Sequence, residues 1–310
     1  MGRSPKARPE LDMAQSPFHT ALPSSAVHVY LGTHAPSWLA RYAVPLFISR
    51  RRLAGRKSFP RALAPWALDS GAFTELALHG RWTLKPREYV ADVRRFFREV
   101  GMLEWASIQD WMCETAVLRR TGLSVANHQR RTVENYDRLL DLAPELPWMP
   151  VLQGWHPEDY LRCVELYLRR GHVLWSMPVV GIGSVCKRQH TAAAECVIRD
   201  LSSLGIQLHA FGFKLQGLLR VGDVLRSSDS LAWSYQARQL PPMHGCVGHK
   251  SCSNCPRYAV GWWVALTFRI ENQRLRRVRR LGPSSLNRLK RRIDDASDRQ
   301  PTHKLYFKRV

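Results

Sequence analysis

The chain has 310 residues, enough for one large domain or two small ones, and its 45% apolar content is that of a folded protein with a sizeable core. Lys and Arg total 47 against 25 Asp and Glu, a formal charge of +22 that exceeds what solubility needs and attracts polyanions, nucleic acid first. The longest apolar stretch, Tyr258 to Phe268, falls short of the roughly 20 residues that cross a bilayer, so a membrane span is excluded and a soluble protein is expected.

Residues 1–25 are basic and rich in Pro and Ser, lack the apolar core of a signal peptide, and read as a flexible lead-in. After them, short apolar runs that end in small or polar residues recur: VHVYLG from Val27, VPLFIS from Val44, WALDSG from Trp66 and WASIQD from Trp105. WMPVLQG from Trp148, MPVVGIG from Met177, QLHAFG from Gln207 and DVLRSSDS from Asp223 continue the series. Between several of them lie amphipathic helical patterns, clearest over 86–101, 125–142, 156–171 and 187–205. Strand followed by helix, about eight times, predicts an α/β fold of the (β/α)8 TIM-barrel type over residues 26–272. The competing open doubly wound sheet would call for a G-x-G-x-x-G turn after the first strand, and none is present.

Near the end of that unit, CVGHKSCSNC sets Cys246, His249, Cys252 and Cys255 at C-x2-H-x2-C-x2-C spacing. Zinc takes four tetrahedral ligands and favours thiolate and imidazole, so a run supplying all four predicts a closed, structural zinc knuckle inserted over 244–258. Three core cysteines or a disulfide pair are the plainer alternative, but the interposed His and the turn residues Gly248 and Asn254 argue against it. The other four cysteines, Cys113, Cys163, Cys186 and Cys196, are isolated, which with a thiolate site points to a reducing compartment such as the cytoplasm. From residue 273 to 310 a basic extension follows. Its stretch from Arg274 to Arg292 carries Arg274, Arg276, Arg277, Arg279, Arg280, Arg288, Lys290, Arg291 and Arg292 with no acid. Such a run is commonly a solvated face; with the whole chain so basic, phosphate contact is the expectation.

In a barrel of this type functional groups sit where strands end. That rule brings Asp69, Asp110, Gln153, Gly181, Gly183, Gly212 and Asp229 to one mouth. Carboxylates without a His partner fit neither a Ser-His-Asp hydrolase nor a Cys nucleophile; they fit chemistry at an anomeric carbon, where one carboxylate traps an oxocarbenium-like centre and another handles the leaving group.

DSGAF at 69–73, QD at 109–110, VLQG at 151–154, VGIGS at 180–184, HAFG at 209–212, SSDS at 227–230 and the cysteine-histidine run resemble, in this order, the tRNA-guanine transglycosylase superfamily. SIQDWMCE, VGIGSVCKRQ and SSDSLAWSYQAR resemble its DNA-directed branch, the 7-deazaguanine insertion enzymes. The resemblance implies that Asp229 is the nucleophile and Asp69 the general acid/base, that Asp110 and Gln153 read the base edge with Gly183 nearby, that Phe73 stacks on the purine, and that Phe211 and Gly212 floor the pocket. It implies exchange of guanine in DNA for a 7-deazaguanine, 7-cyano-7-deazaguanine foremost, with structural zinc, no redox cofactor and accessory DNA-modification proteins as possible partners. A tRNA-directed enzyme and a catalytically silent nucleic-acid-binding barrel are the alternatives. The chain departs from the tRNA enzymes in having Ala72 and Thr74 where a second Gly and a Gln are usual, and in the compactness of its metal ligands. Taken singly, Asp69 is also a plain turn residue, Asp229 a helix cap and Phe73 and Phe211 ordinary core.

Overall fold

The computed structural model describes residues 27–280. Nine parallel strands carry the architecture: β1 (His28–Thr33), β2 (Leu46–Ser49), β3 (Trp66–Asp69), β4 (Leu103–Ser107), β5 (Trp148–Met149), β6 (Val151–Leu152), β7 (Val180–Ile182), β8 (Leu208–Ala210) and β9 (Ser227–Ser230). Every apolar run singled out in the sequence becomes a strand, and their order in the sheet is β5-β4-β3-β2-β1-β9-β8-β7-β6. The two ends of that order are neighbours in sequence, separated only by Pro150. Proline has no N–H for a ladder, so one strand is split into two short ones. β5 pairs with β4, β6 pairs with β7, and the carbonyl of Pro150 still accepts from Gly181 N at 2.8 Å. With β5 and β6 taken as one strand, the sheet closes into an eight-stranded parallel barrel, as the strand–helix alternation predicts.

Helices enclose it: α1 (Arg50–Leu53), α2 (Ala72–His79), α3 (Pro86–Glu99), α4 (Thr115–Thr121), α5 (Val125–Leu142), α6 (Pro157–Arg169), α7 (Ala192–Ser203), α8 (Leu215–Val221), α9 (Ala232–Arg238) and α10 (Pro256–Arg280). Three of the four long helical patterns match α3, α5 and α6 closely. The fourth is shorter than the pattern from residue 187 implied. Thr191 accepts from Ala194 N through its hydroxyl and so caps α7 at Ala192, leaving 187–190 in a turn.

The alternation is also thinner at its start than the sequence indicates. A short 3-10 turn, Pro36–Ala40, follows β1 and a single helical turn follows β2. The outer side of β1 is covered instead by α10, whose residues Ala259, Leu266 and Ile270 are buried at helical spacing and whose Trp263 donates Nε1–H to the carbonyl of Val29 at 2.7 Å. Trp233 of α9 reaches the carbonyl of Gly32 in the same way, at 2.8 Å. Two indoles thus tie the end of the described chain to its first strand. Among the described residues no helix is long and apolar enough to cross a membrane.

Inside the barrel Tyr30, Phe47, Trp105, His209 and Phe211 form a ring cluster, His209 lying 4.6 Å from Trp105, 4.8 Å from Phe211 and 5.8 Å from Phe47 by ring centroids. Tyr30 hydroxyl donates to Glu104 at 2.7 Å beneath this layer. The layer is a packed floor under the mouth, as a barrel interior of this size requires.

Candidate active site

Strand register sets the mouth. Asp69 ends β3 opposite Ser49 of β2, and Asp229 lies in β9 opposite Tyr30 of β1. The β3–α2 turn needs Gly71 at φ +88°, a value that a side chain at this position would strain, and this lets the chain swing from Asp69 straight into α2. Phe73, in the first turn of α2, is 52% exposed at the rim, with the ammonium of Lys187 5.5 Å over its ring. Phe211 lies over Gly181, where a Cβ would come within 2.7 Å of its ring. Glycine at 181 therefore makes room for the aromatic floor.

Asp229 Oδ1 accepts from the backbone N–H of Gly212 at 2.9 Å and sits 3.3 Å from Nε2 of the fully buried His209, without hydrogen-bond alignment. His209 Nδ1 is fixed by Ser227 Oγ at 2.9 Å. Both neighbours approach one oxygen of Asp229, and among the described residues none donates to Oδ2. Ser70, beside Asp69, is buried with an unpartnered hydroxyl.

Gln153 and Asp110 form one unit. The Gln153 amide donates Nε2–H to Asp110 Oδ2 at 2.5 Å, while Gln153 Oε1 accepts from Ser184 Oγ at 2.8 Å, which fixes which end of the amide faces which partner. Gly183 is required here in a strict sense: a Cβ on it would collide with the Gln153 amide. Ser184 holds φ +57°, a left-handed conformation that costs a non-glycine residue about 1 kcal/mol or more. The strain is offset by the three contacts its hydroxyl makes, to Gln153, to Cys113 N at 2.8 Å and to Glu114 Oε2 at 3.0 Å. A hydroxyl has one proton to donate. Ser184 Oγ turns that proton toward both Gln153 Oε1 and Glu114 Oε2, and burial raises the pKa of the Glu114 carboxyl while the bond from Ser184 opposes the rise.

Burial also pushes the Asp69 carboxyl above its ordinary range, with the charge of Asp229 adding to the shift and hydrogen bonds from Ser49 and the Gly71 amide opposing it. For Asp110, burial and then the charge of Asp69 raise the pKa to about 7, against the bond from Gln153. Burial thus works against ionisation at both Asp69 and Asp110, and perturbed carboxyls gathered at one mouth mark a candidate site for acid–base work.

Every predicted mouth residue, Asp69, Phe73, Asp110, Gln153, Gly183, Phe211, Gly212 and Asp229, lies at or just beyond a strand end on this one face. Sequence reasoning missed Glu114, Ser184 and the approach of His209 to Asp229. Their signal was partial: Ser184 and His209 sit inside the VGIGS and HAFG motifs, and Glu114 follows QDWMC, but nothing in spacing alone joins residues 70 positions apart.

The metal-ligand run lies between α9 and α10. Four ligand atoms, from Cys246, His249, Cys252 and Cys255, fall within 4.8 Å of one another. Cys246 Sγ is 3.9 Å from Cys255 Sγ, and His249 Nε2 is 3.3 Å from Cys252 Sγ. A tetrahedral zinc with bonds of about 2.3 Å to sulfur and 2.0 Å to nitrogen has ligand edges of about 3.5 to 3.8 Å, so the donor set suits that ion and side-chain shifts of up to about 1 Å would close the 4.8 Å spread around it. Positive φ at Gly245 and Gly248 makes the tight loop possible. Cys255 directly precedes Pro256, the first residue of α10, so the cluster anchors the helix that covers β1.

Of the predicted phosphate contacts, Arg277 pairs with Asp223 at 3.1 Å and donates to the carbonyl of Leu219 at 2.9 Å, and Arg274 pairs with Glu271 at 3.1 Å. Arg276 is exposed. The side chains of Arg279 and Arg280, together with Arg288, Lys290, Arg291, Arg292 and the N-terminal 1–25, lie outside the described residues.

A parallel barrel with convergent carboxylates at its carboxyl-end mouth and a C-terminal cysteine-histidine cluster is the architecture that the transglycosylase resemblance implies. Residues 25–285 match the family DpdA, DeoxyPurine in DNA protein A, and the chain belongs to that family, the DNA-directed branch of the tRNA-guanine transglycosylase-like enzymes. Its family role is deazapurine modification of DNA. None of the curated proteins compared matches the chain.

Two outcomes follow from this geometry. Asp110 titrates higher in the folded protein than in the unfolded chain, so its contribution to stability is full below about pH 4 and is lost as pH rises through about 7. Asp110→Asn should therefore raise the melting temperature relative to the unsubstituted chain at pH 8, by a free energy on the order of 2 to 4 kcal/mol, and leave it nearly unchanged at pH 4. Equal melting shifts at both pH values would remove the titration argument. Replacing Cys252 or Cys255 by Ser should abolish a stoichiometry of about one zinc per chain, read by metal analysis, and lower the melting temperature, because a closed site contributes its binding energy to folding.

Proposed function

We propose that the chain exchanges guanine in DNA for a free 7-deazaguanine, 7-cyano-7-deazaguanine foremost, through a covalent glycosyl-enzyme intermediate. The observation that carries this reading is the pair of carboxylates, Asp69 and Asp229, set on one mouth in unlike environments on either side of the Gln153–Asp110 unit.

In the first half-reaction Asp229 Oδ2 attacks C1′ of the target nucleotide. The C1′–N9 bond breaks, its electron pair leaves with the purine, and Asp69, favoured in its protonated form by burial, gives that purine a proton. Gly212 N–H and His209 hold Oδ1 and so aim Oδ2. In the second half-reaction Asp69, now ionised, takes the N9 proton of the incoming deazaguanine, whose nitrogen attacks C1′ and expels Asp229. One base leaves, one enters, and no nucleoside triphosphate or redox carrier is needed.

Guanine offers N1–H and an exocyclic amine as donors, which an ionised Asp110 accepts; adenine lacks that pattern. Phe73 and Phe211 supply ring faces for a base taken out of its stack, and Ser70 supplies a hydroxyl that the protein leaves unpaired. The zinc cluster stands apart from these groups and would hold α10 rather than enter the chemistry.

Asp229→Asn and Asp69→Asn should each reduce incorporation of labelled deazaguanine into DNA, the first to background and the second by about 100-fold or more, with the fold intact by circular dichroism. Nucleoside mass spectrometry of DNA and tRNA from expressing cells tests the target: label confined to tRNA would overturn the reading. Gly183→Ala should reduce exchange without reducing zinc content, since the added methyl displaces only the Gln153 amide. Full activity in that variant would mean that Gln153 does not read the base.

A further inference from the structure

Two neighbouring cavities, about 740 and 430 Å³, run along the outside of the barrel between α10 and the pair α8 and α9, and share Leu215, Ala265 and Arg269 in their walls. They form one groove. Three aromatic side chains line it, Tyr235, Trp262 and Phe268, and four cations stand among them, Lys214, Arg269, Arg276 and Arg277, the last paired with Asp223; among the described residues no carboxylate lines the groove itself. Tyr235 is 65% exposed and Phe268 67%, an unusual state for large rings on a soluble surface unless they serve a contact. On α10 the positions 262, 265, 269 and 276 recur at helical spacing and form a stripe beside the buried one of Ala259, Leu266 and Ile270, with Leu266 at the border between the two.

The groove also has a direction. Its upper end is at Lys214 and Ala232, two residues beyond Gly212 and three beyond Asp229, at the rim of the mouth. Its lower end is at Leu219 and Arg276, toward the opposite face of the barrel. From Trp262 to Arg276 the helix rises about 21 Å.

We propose that this groove carries the single strand of DNA that flanks the nucleotide held at the mouth. A ligand that satisfies it must offer anions to Lys214, Arg269 and Arg276 and flat apolar faces to Tyr235, Trp262 and Phe268. A single strand offers both along its length, with phosphates on one side and unstacked bases on the other. A duplex offers the phosphates but keeps its base faces stacked. Carrying the flanking strand away from the mouth holds the target nucleotide splayed out. The direction of the strand rests on the proposed exchange at Asp229, whereas occupancy of the groove is tested without any exchange.

The test uses the full chain and a fluorescein-labelled 12-nucleotide thymidine strand, which contains no guanine and so does not engage the base-reading pocket. Anisotropy titrations over a salt series should give a slope that falls by about 1.4 in Arg269→Gln/Arg276→Gln, about 0.7 for each lost phosphate contact. Tyr235→Ala/Phe268→Ala should weaken binding about tenfold or more while leaving the slope unchanged, because stacking and not charge is removed. A 12-base-pair duplex should be insensitive to the aromatic pair. Unchanged strand affinity and slope in both variants would overturn the proposal, as would an equal loss for duplex and strand. Lowered melting temperature with unchanged DNA affinity would assign the groove to residues 281–310 and overturn it too. In the exchange assay the same variants should raise KM for a long strand and leave kcat unaltered; no exchange by the unsubstituted chain would remove the catalytic reading and leave the anisotropy result standing.

Discussion

The hydrogen bond from Gln153 to Asp110 is the contact on which the mouth depends. It joins the loop after β4 to the end of β6, and it exists only because Gly183, just beyond β7, has no side chain to occupy the same space. A carboxylate buried this deeply is costly, and a single short bond does not restore what water supplied, which is why Asp110 keeps a raised pKa. The residual cost is a reason to assign the group a task. Around it Ser184 accepts a strained backbone and Glu114 a buried carboxyl so that the Gln153 amide cannot turn over. A chain of polar groups three residues deep thus specifies the orientation of one amide.

The scaffold meets that demand by economy elsewhere. The first two strands lack full helices of their own, and the covering layer over β1 comes from the far side of the described chain, held by indole bonds to Val29 and Gly32. Pro150 divides a strand without opening the barrel because each half needs to pair with only one neighbour. The cysteine-histidine cluster then sets where α10 begins, and so where the helix lies against both the barrel and the groove.

Much of this was legible in the sequence, and the reason is local. Most strands appear as short apolar runs closed by small or polar residues, because a parallel strand covered on both faces is largely apolar; β9, read as Ser227–Ser230, is the polar exception. The carboxylates of the mouth were visible because they close those runs or follow them closely. The metal ligands were visible because they fall within ten residues. What could not be read was pairing at a distance. His209 is an ordinary barrel residue until Asp229 is seen 3.3 Å away, and Glu114 is an ordinary acid until Ser184 is beside it. The missing helix after β1 was equally invisible, since its substitute lies more than 200 residues further on. Likewise the pattern from residue 187 reads as helix, and only the capping hydroxyl of Thr191 shows where α7 begins.

The bond between Trp263 and Val29 spans 234 positions, and the one between Trp233 and Gly32 spans 201. β1 is among the first strands to leave the ribosome, yet its outer face stays bare until α10 has been made, and its ladder to β9 waits nearly as long. Non-local closure of this kind is slow and leaves apolar strand surface open in the interval. The cluster at 246–255 works in the other direction, because its ring is short and a metal ion could be captured as soon as ten residues are free. An ion bound there during synthesis would bear on yield as well as on stability: a nascent chain that took it up early would present a preformed start to α10, and with it the lid for a strand that has been waiting since the beginning.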